Sequence, residues 1–148
     1  MKLRLILGDQ LNIQHSWYST VDQETLYVLY ELKQETNYVV HHIQKVVAFF
    51  SSMRSFADSL KSIGHEVIYF DIASESANNS LSDNIKKLVV EKQITKFEYQ
   101  LPDEYRLDKQ LINLCEELNI STERFDSEHF LTKREDLKSF FEGKKQLI

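Results

Sequence analysis

Short apolar runs alternate along this chain with longer stretches in which apolar residues recur every three or four positions. Five runs have strand character: Lys2–Leu7, Thr25–Glu31, Glu66–Phe70, Lys96–Tyr99 and Ser121–Phe125. As a set they are rich in Val, Ile, Leu, Tyr and Phe and flanked by polar turns. The first two are nearly continuous in apolar character, as strands covered on both faces should be. The longest helical stretch is His42–Ile63, where Ile43, Val46, Val47, Phe50, Met53, Ala57 and Leu60 form one stripe that Phe49 and Phe56 widen. Gly64 follows where a left-handed cap residue belongs. Further helices are expected over Asp83–Lys92, over Asp103–Leu118 with Pro102 at its mouth, and from Thr132, where Thr132 and Glu135 have capping-box spacing, to a stop before Gly143.

Strands alternating with helices imply right-handed crossovers and a parallel sheet. The expected fold is a three-layer, doubly wound, Rossmann-like α/β domain with five parallel strands in the order 3-2-1-4-5. Residues 8–24 lack an amphipathic helix and are expected to form a long loop with one turn of helix. That order places a crevice outside the carboxyl ends of the strands, where the winding reverses beside strand one.

Composition narrows the class. A chain of 148 residues with three glycines and one proline is one ordinary domain with no room for a low-complexity linker. The net charge of −5 arises wholly from residues 65–148, and a surface of that sign does not attract DNA unaided. A single cysteine, Cys115, excludes an internal disulfide and a cysteine cluster, and on its apolar stripe it reads as an inert thiol. The apolar start breaks at Gly8-Asp9, too early for a signal peptide or a membrane span, so the expected location is the cytoplasm.

Candidate chemistry gathers at two strand ends. Gly8, Asp9 and Gln10 stand where strand one stops: the glycine can admit close backbone approach, and the next two side chains offer acceptors and donors. The same triplet also suits a tight turn capped by Asp9. Tyr30 and Glu31 end strand two, and Glu35, Tyr38, His41 and His42 follow, so Asp9, Glu31 and Glu35 are expected to converge on one crevice. Glu35 also suits a helix N-terminus for dipole reasons alone. Adjacent histidines diverge on a helix and no third ligand has metal spacing, so no metal site is expected at His41-His42. No phosphate-binding glycine motif, nucleophile elbow or Cys–His pair is present, which favours a binding domain over a catalytic one.

Several strings together are more specific: Leu7-Gly-Asp-Gln-Leu11, Glu35-Thr-Asn-Tyr-Val39, His41 to Phe50 with Met53-Arg54 and Phe56-Ala57, Gly64-His65, Pro102 to Leu107, Glu128 to Thr132 and Phe140 to Lys144. In order and over essentially the whole chain, they resemble the deoxyribodipyrimidine photolyase-related proteins, the bacterial branch of the cryptochrome/photolyase group that contains iron–sulfur (6-4) photolyases. The resemblance implies a fragment or separately expressed antenna-type N-terminal domain, not itself an enzyme. Its parent would be a light-driven DNA-repair lyase or a blue-light flavoprotein. It also implies that FAD, a 4Fe-4S cluster and DNA contact belong to a helical partner domain of the parent beyond residue 148. Within this domain it implies a possible antenna pigment, 6,7-dimethyl-8-ribityllumazine, held by Gly8, Asp9, Gln10, Tyr30, Glu31, Glu35 and, as a stacking face, Tyr38. Two rivals are a docking module with a vestigial pigment site and a small nucleotide-binding domain; the scarcity of glycine disfavours the latter.

Overall fold

A computed structural model describes residues 1–33, 42–132 and 134–143. Five strands, β1 (Lys2–Leu5), β2 (Thr25–Tyr30), β3 (Glu66–Phe70), β4 (Lys96–Gln100) and β5 (Ser121–Phe125), form one sheet in the order β3-β2-β1-β4-β5, all pairs parallel. Leu3 of β1 is level with Leu26 of β2 and Phe97 of β4, so the apolar middles of three strands coincide. This is the expected α/β architecture and order. Among the described residues the helices are α1 (Ile43–Ser62), α2 (Leu81–Glu91), α3 (Tyr105–Glu117) and α4 (Arg134–Phe141).

Period-two alternation divides the core between the two faces of the sheet. Leu3, Leu5, Val28 and Tyr30 pack with Ile85 and Leu88 of α2 and Leu111 and Leu114 of α3. Ile6, Tyr27 and Leu29 pack with Phe50, Met53, Phe56 and Leu60 of α1. On that second face no helix joins β1 to β2. A short 3-10 turn, Ser16–Tyr18, fills the gap with buried Trp17 and Tyr18, as expected of a long loop with one helical turn.

Arg4 fastens this loop to the sheet. Its Nε donates to Glu98 Oε2 at 2.8 Å, its Nη1 to the Tyr27 hydroxyl at 3.0 Å, and its guanidinium lies 4.7 Å from the centre of the Trp17 ring. Lys96 Nζ reaches the same carboxylate, 2.7 Å from Glu98 Oε1. A buried charge is tolerated only when paired in this way.

β1 stops at Leu5 rather than Leu7, β2 at Tyr30 rather than Glu31, and β4 runs one residue further, to Gln100. α2 begins at Leu81 rather than Asp83 because Ser80 caps it: Ser80 Oγ accepts from the Asp83 amide and donates to the Asp83 carboxylate. α1 starts after His42, whose Nδ1 accepts from the Gln44 amide at 3.3 Å. It ends at Ser62, and Gly64 beyond its cap adopts φ +100° and, with His65, donates back to the Lys61 and Leu60 carbonyls. α3 starts two residues later than expected, at Tyr105. The first turns of α1 overhang the sheet, so Ile43 and Val47 of the expected core stripe stand exposed and burial begins only at Phe50. Among the described residues no helix is long and apolar enough to cross a membrane.

Candidate functional site

At the end of β1 the winding reverses, with β2 on one side and β4 on the other. An open cleft of about 580 Å³ lies there. One wall is the loop after β1, with Gly8, Asp9, Leu11 and Asn12. A second is the exposed start of α1, whose Lys45, Ala48, Phe49 and Ser52 share one face by helical spacing. His129, from the loop after β5, completes the lining.

Gly8 admits a close approach, but from the protein's own α1. A β-carbon built on Gly8 would stand 2.2 Å from Phe49 Cζ and 3.0 Å from Met53 Sδ. Phe49 therefore lays its ring edge over the backbone just beyond the strand, while the residue as a whole stays about one-third exposed.

Asp9 lies beside further charge. Crowding by protein raises its carboxyl above the ordinary range, and Asp103 and Glu104 reinforce the rise by repulsion. A backbone hydrogen bond and His129 oppose it. His129 Nδ1 stands 3.7 Å from Asp103 Oδ2. The cleft thus joins an aromatic face, an amine, an amide, a hydroxyl, an imidazole and a carboxyl. That set suits a planar, polar small molecule. Among the described residues no group of three potential metal ligands is present.

The other residues expected at this site have different surroundings. Gln10 is buried and works as a strand-end brace: its Oε1 accepts from the Leu7 amide at 3.3 Å, and its Nε2 donates to the Gln100 and Leu101 carbonyls. Tyr30 points to the opposite face of the sheet. There it stacks on Phe70 at 4.7 Å with the rings nearly parallel, and its hydroxyl donates to the Asn84 carbonyl. Burial pushes that phenol above its usual range.

Glu31 is on the α1 face but fully engaged, so the expected convergence of Asp9 and Glu31 on one crevice is not what forms. Arg54 Nε and Nη2 donate to its two oxygens at 2.6 and 2.8 Å, Tyr69 donates at 2.5 Å and the Ile72 amide at 2.8 Å. Burial works against ionisation, but these donors outweigh it and hold the carboxyl below the usual Glu range. Glu35, Tyr38 and His41 lie outside the described residues; His42 is the α1 cap.

The cleft residues that the sequence did not single out are Leu11, Asn12, Lys45, Ala48, Phe49, Ser52 and His129. Four of them fall at helical spacing on α1, and the aromatic among them, Phe49, reads as core unless the exposure of the first turns of α1 is known.

Two comparisons bear on identity. Residues 4–148 match the family described as deoxyribodipyrimidine photo-lyase-related protein. A (6-4) photolyase of Agrobacterium fabrum strain C58 is 29% identical over 148 residues, covering 99% of this chain and 29% of the relative. The chain thus spans under a third of the length of the curated relative it matches.

Proposed function

The chain belongs to the deoxyribodipyrimidine photo-lyase-related family, and from that premise we propose that it is the antenna-type α/β domain of a light-driven DNA-repair or blue-light flavoprotein. Its task is to hold a pigment in the cleft at the end of β1. The observation that carries this reading is the cleft itself, which lies at the reversal of strand order and within the size range of small-molecule sites.

The lining fits a ribityl-lumazine by chemistry. Phe49 offers an apolar ring to a flat heterocycle; Asp9, Asn12, Lys45 and Ser52 offer acceptors and donors for an imide edge and a ribityl chain. Glu35 and Tyr38 keep their proposed places as further partners. Tyr30, Glu31 and Gln10 could take part only by giving up their present bonds, so they serve the site best as supports. When bound, such a pigment supplies light absorption and energy transfer to a flavin; this chain's residues bind it, orient it and exclude water, with no acid–base or nucleophilic step.

A 4Fe-4S cluster does not fit this chain. A cluster of that type needs four thiolates, and Cys115, the one cysteine, is partly buried with its thiol pushed above the ordinary range by desolvation. The cluster and FAD, together with DNA contact, are assigned to a helical partner domain of a longer parent. Purification of the chain after growth with lumazine-producing cells tests the proposal: a near-stoichiometric pigment absorbance supports it, and a flavin spectrum contradicts the division of labour.

The docking-module reading has its own observations. Phe49 already fills the space over Gly8, and Phe130, Leu131 and Phe140 are 66%, 108% and 62% exposed. Phe130 and Leu131, adjacent on one loop, would be covered in a complex with a partner domain. Under that reading the chain folds and binds its partner with the cleft empty of pigment.

A further inference from the structure

We propose that Glu128 is a positioning residue that latches together the two loops framing the cleft. It stands in the loop after β5, next to His129, and adopts φ +56°, a left-handed conformation that a residue with a β-carbon takes at a cost. The strain is offset by what the turn allows. Glu128 Oε2 accepts from the Ser16 amide at 3.1 Å and Oε1 from the Ser16 hydroxyl at 2.6 Å, across 112 residues of chain.

Two more bonds stiffen the same junction. His15 Nδ1 accepts from the Trp17 amide at 3.1 Å, which leaves the ring proton on Nε2 to donate to the Asp126 carbonyl at 3.0 Å. The Glu128 amide donates to Asp126 Oδ2 at 3.3 Å and closes the turn. Ser16 belongs to the loop that supplies Asp9, Leu11 and Asn12 to one wall, and Glu128 is followed by His129, which completes the lining from the loop after β5. The latch therefore sets the position of that wall relative to His129 without touching a ligand. Its effect on a pigment rests on the function proposed above; the coupling of the two loops does not.

Ser16 and the Glu128 carboxylate lie at the surface, so their substitution leaves the core intact. Trp17, the one tryptophan, is buried beside them and reports on the loop. The experiment measures three quantities on the 148-residue chain and its E128A, E128Q, S16A and S16A/E128A variants: exchange of the residue-16 amide by NMR, acrylamide quenching of Trp17, and affinity for 6,7-dimethyl-8-ribityllumazine by fluorescence. The expected result for E128A is about tenfold faster amide exchange, stronger quenching and about tenfold weaker lumazine binding, the scale of one lost charge-assisted bond. E128Q, which keeps one acceptor oxygen, falls between E128A and wild type, and the double variant is no worse than E128A. Unchanged exchange and quenching in E128A overturn the latch, as do additive effects in the double variant. A faster exchange with unchanged lumazine affinity overturns the positioning role. If wild type binds no lumazine while exchange and quenching respond as expected, the latch stands and the pigment assignment falls.

Discussion

The ring of Phe49 occupies the position that a side chain at Gly8 would need: a β-carbon there would stand 2.2 Å from Phe49 Cζ. The clash is with the far end of a partly exposed side chain, so it can be relieved by swinging the ring. Gly8→Ala is expected to destabilise the domain by about 1–2 kcal/mol, the range of mild overpacking. In a Phe49→Ala background the same change is expected to cost markedly less, because the nearest obstacle is gone and only Met53 Sδ, at 3.0 Å, remains. Urea unfolding of the four proteins in the cycle checks this, and additive costs would show that the ring does not hold that place in solution.

A second expectation concerns Glu31 and Arg54. Arg54 supplies two of the four donors to a carboxylate whose side chain has no exposed surface. Arg54→Ala is expected to cost about 2–4 kcal/mol, chiefly because Glu31 is left buried and under-partnered; the half-exposed position of Arg54 places the value toward the lower end. Arg54→Ala in a Glu31→Gln background should cost markedly less. Glu31 has a lowered folded pKa, so its contribution is present above the unfolded value, about 4.3, and is lost as pH falls from there through the folded value. Unfolding curves of wild type and Glu31→Gln should converge over that acid range. A difference that stays constant down to pH 2 would remove the carboxylate from the account.

Asp9 carries the opposite sign. Its folded pKa is raised, so folding favours the protonated form. The resulting stabilisation is full below the unfolded value, about 3.9, and is lost as pH rises through the folded value. At neutral pH the ionised form is the less favoured one in the fold, and Asp9→Asn is expected to raise stability slightly, because solvent at this exposed side chain screens most of the effect. That gain should vanish near pH 3. A destabilised Asp9→Asn protein at pH 7 would mean that its turn-forming bond outweighs repulsion from Asp103 and Glu104.

The fold was legible because each level of the chain agrees with the next: apolar runs of strand length alternate with helical stripes, and only residues 8–24 break the alternation. The site was legible in part. Gly8 and Asp9 follow from the end of β1 alone. Tyr30 and Glu31, as neighbours in an extended strand, must face opposite ways, which already forbids both from entering one cleft. That Glu31 is spoken for by Arg54 has no local signal, since its partner is 23 residues away on α1. Phe49 carries the same ambiguity, because an apolar residue within a helical stripe reads as core until the overhang of α1 beyond the sheet is seen. Glu128 was one letter in a family string until its backbone and its bonds to Ser16 gave it a physical role.

Equilibrium titration of the folded chain with 6,7-dimethyl-8-ribityllumazine, followed by lumazine fluorescence, tests the central claim most directly. The expected result is saturable binding at micromolar affinity or weaker, reduced by about 1–3 kcal/mol in Asp9→Ala and in Glu35→Ala through lost charge-assisted bonds. No binding to a wild-type chain shown by its unfolding curve to be folded would contradict the antenna reading and leave the docking module in its place. Binding indifferent to both substitutions would contradict the placement of the pigment in the cleft at the end of β1.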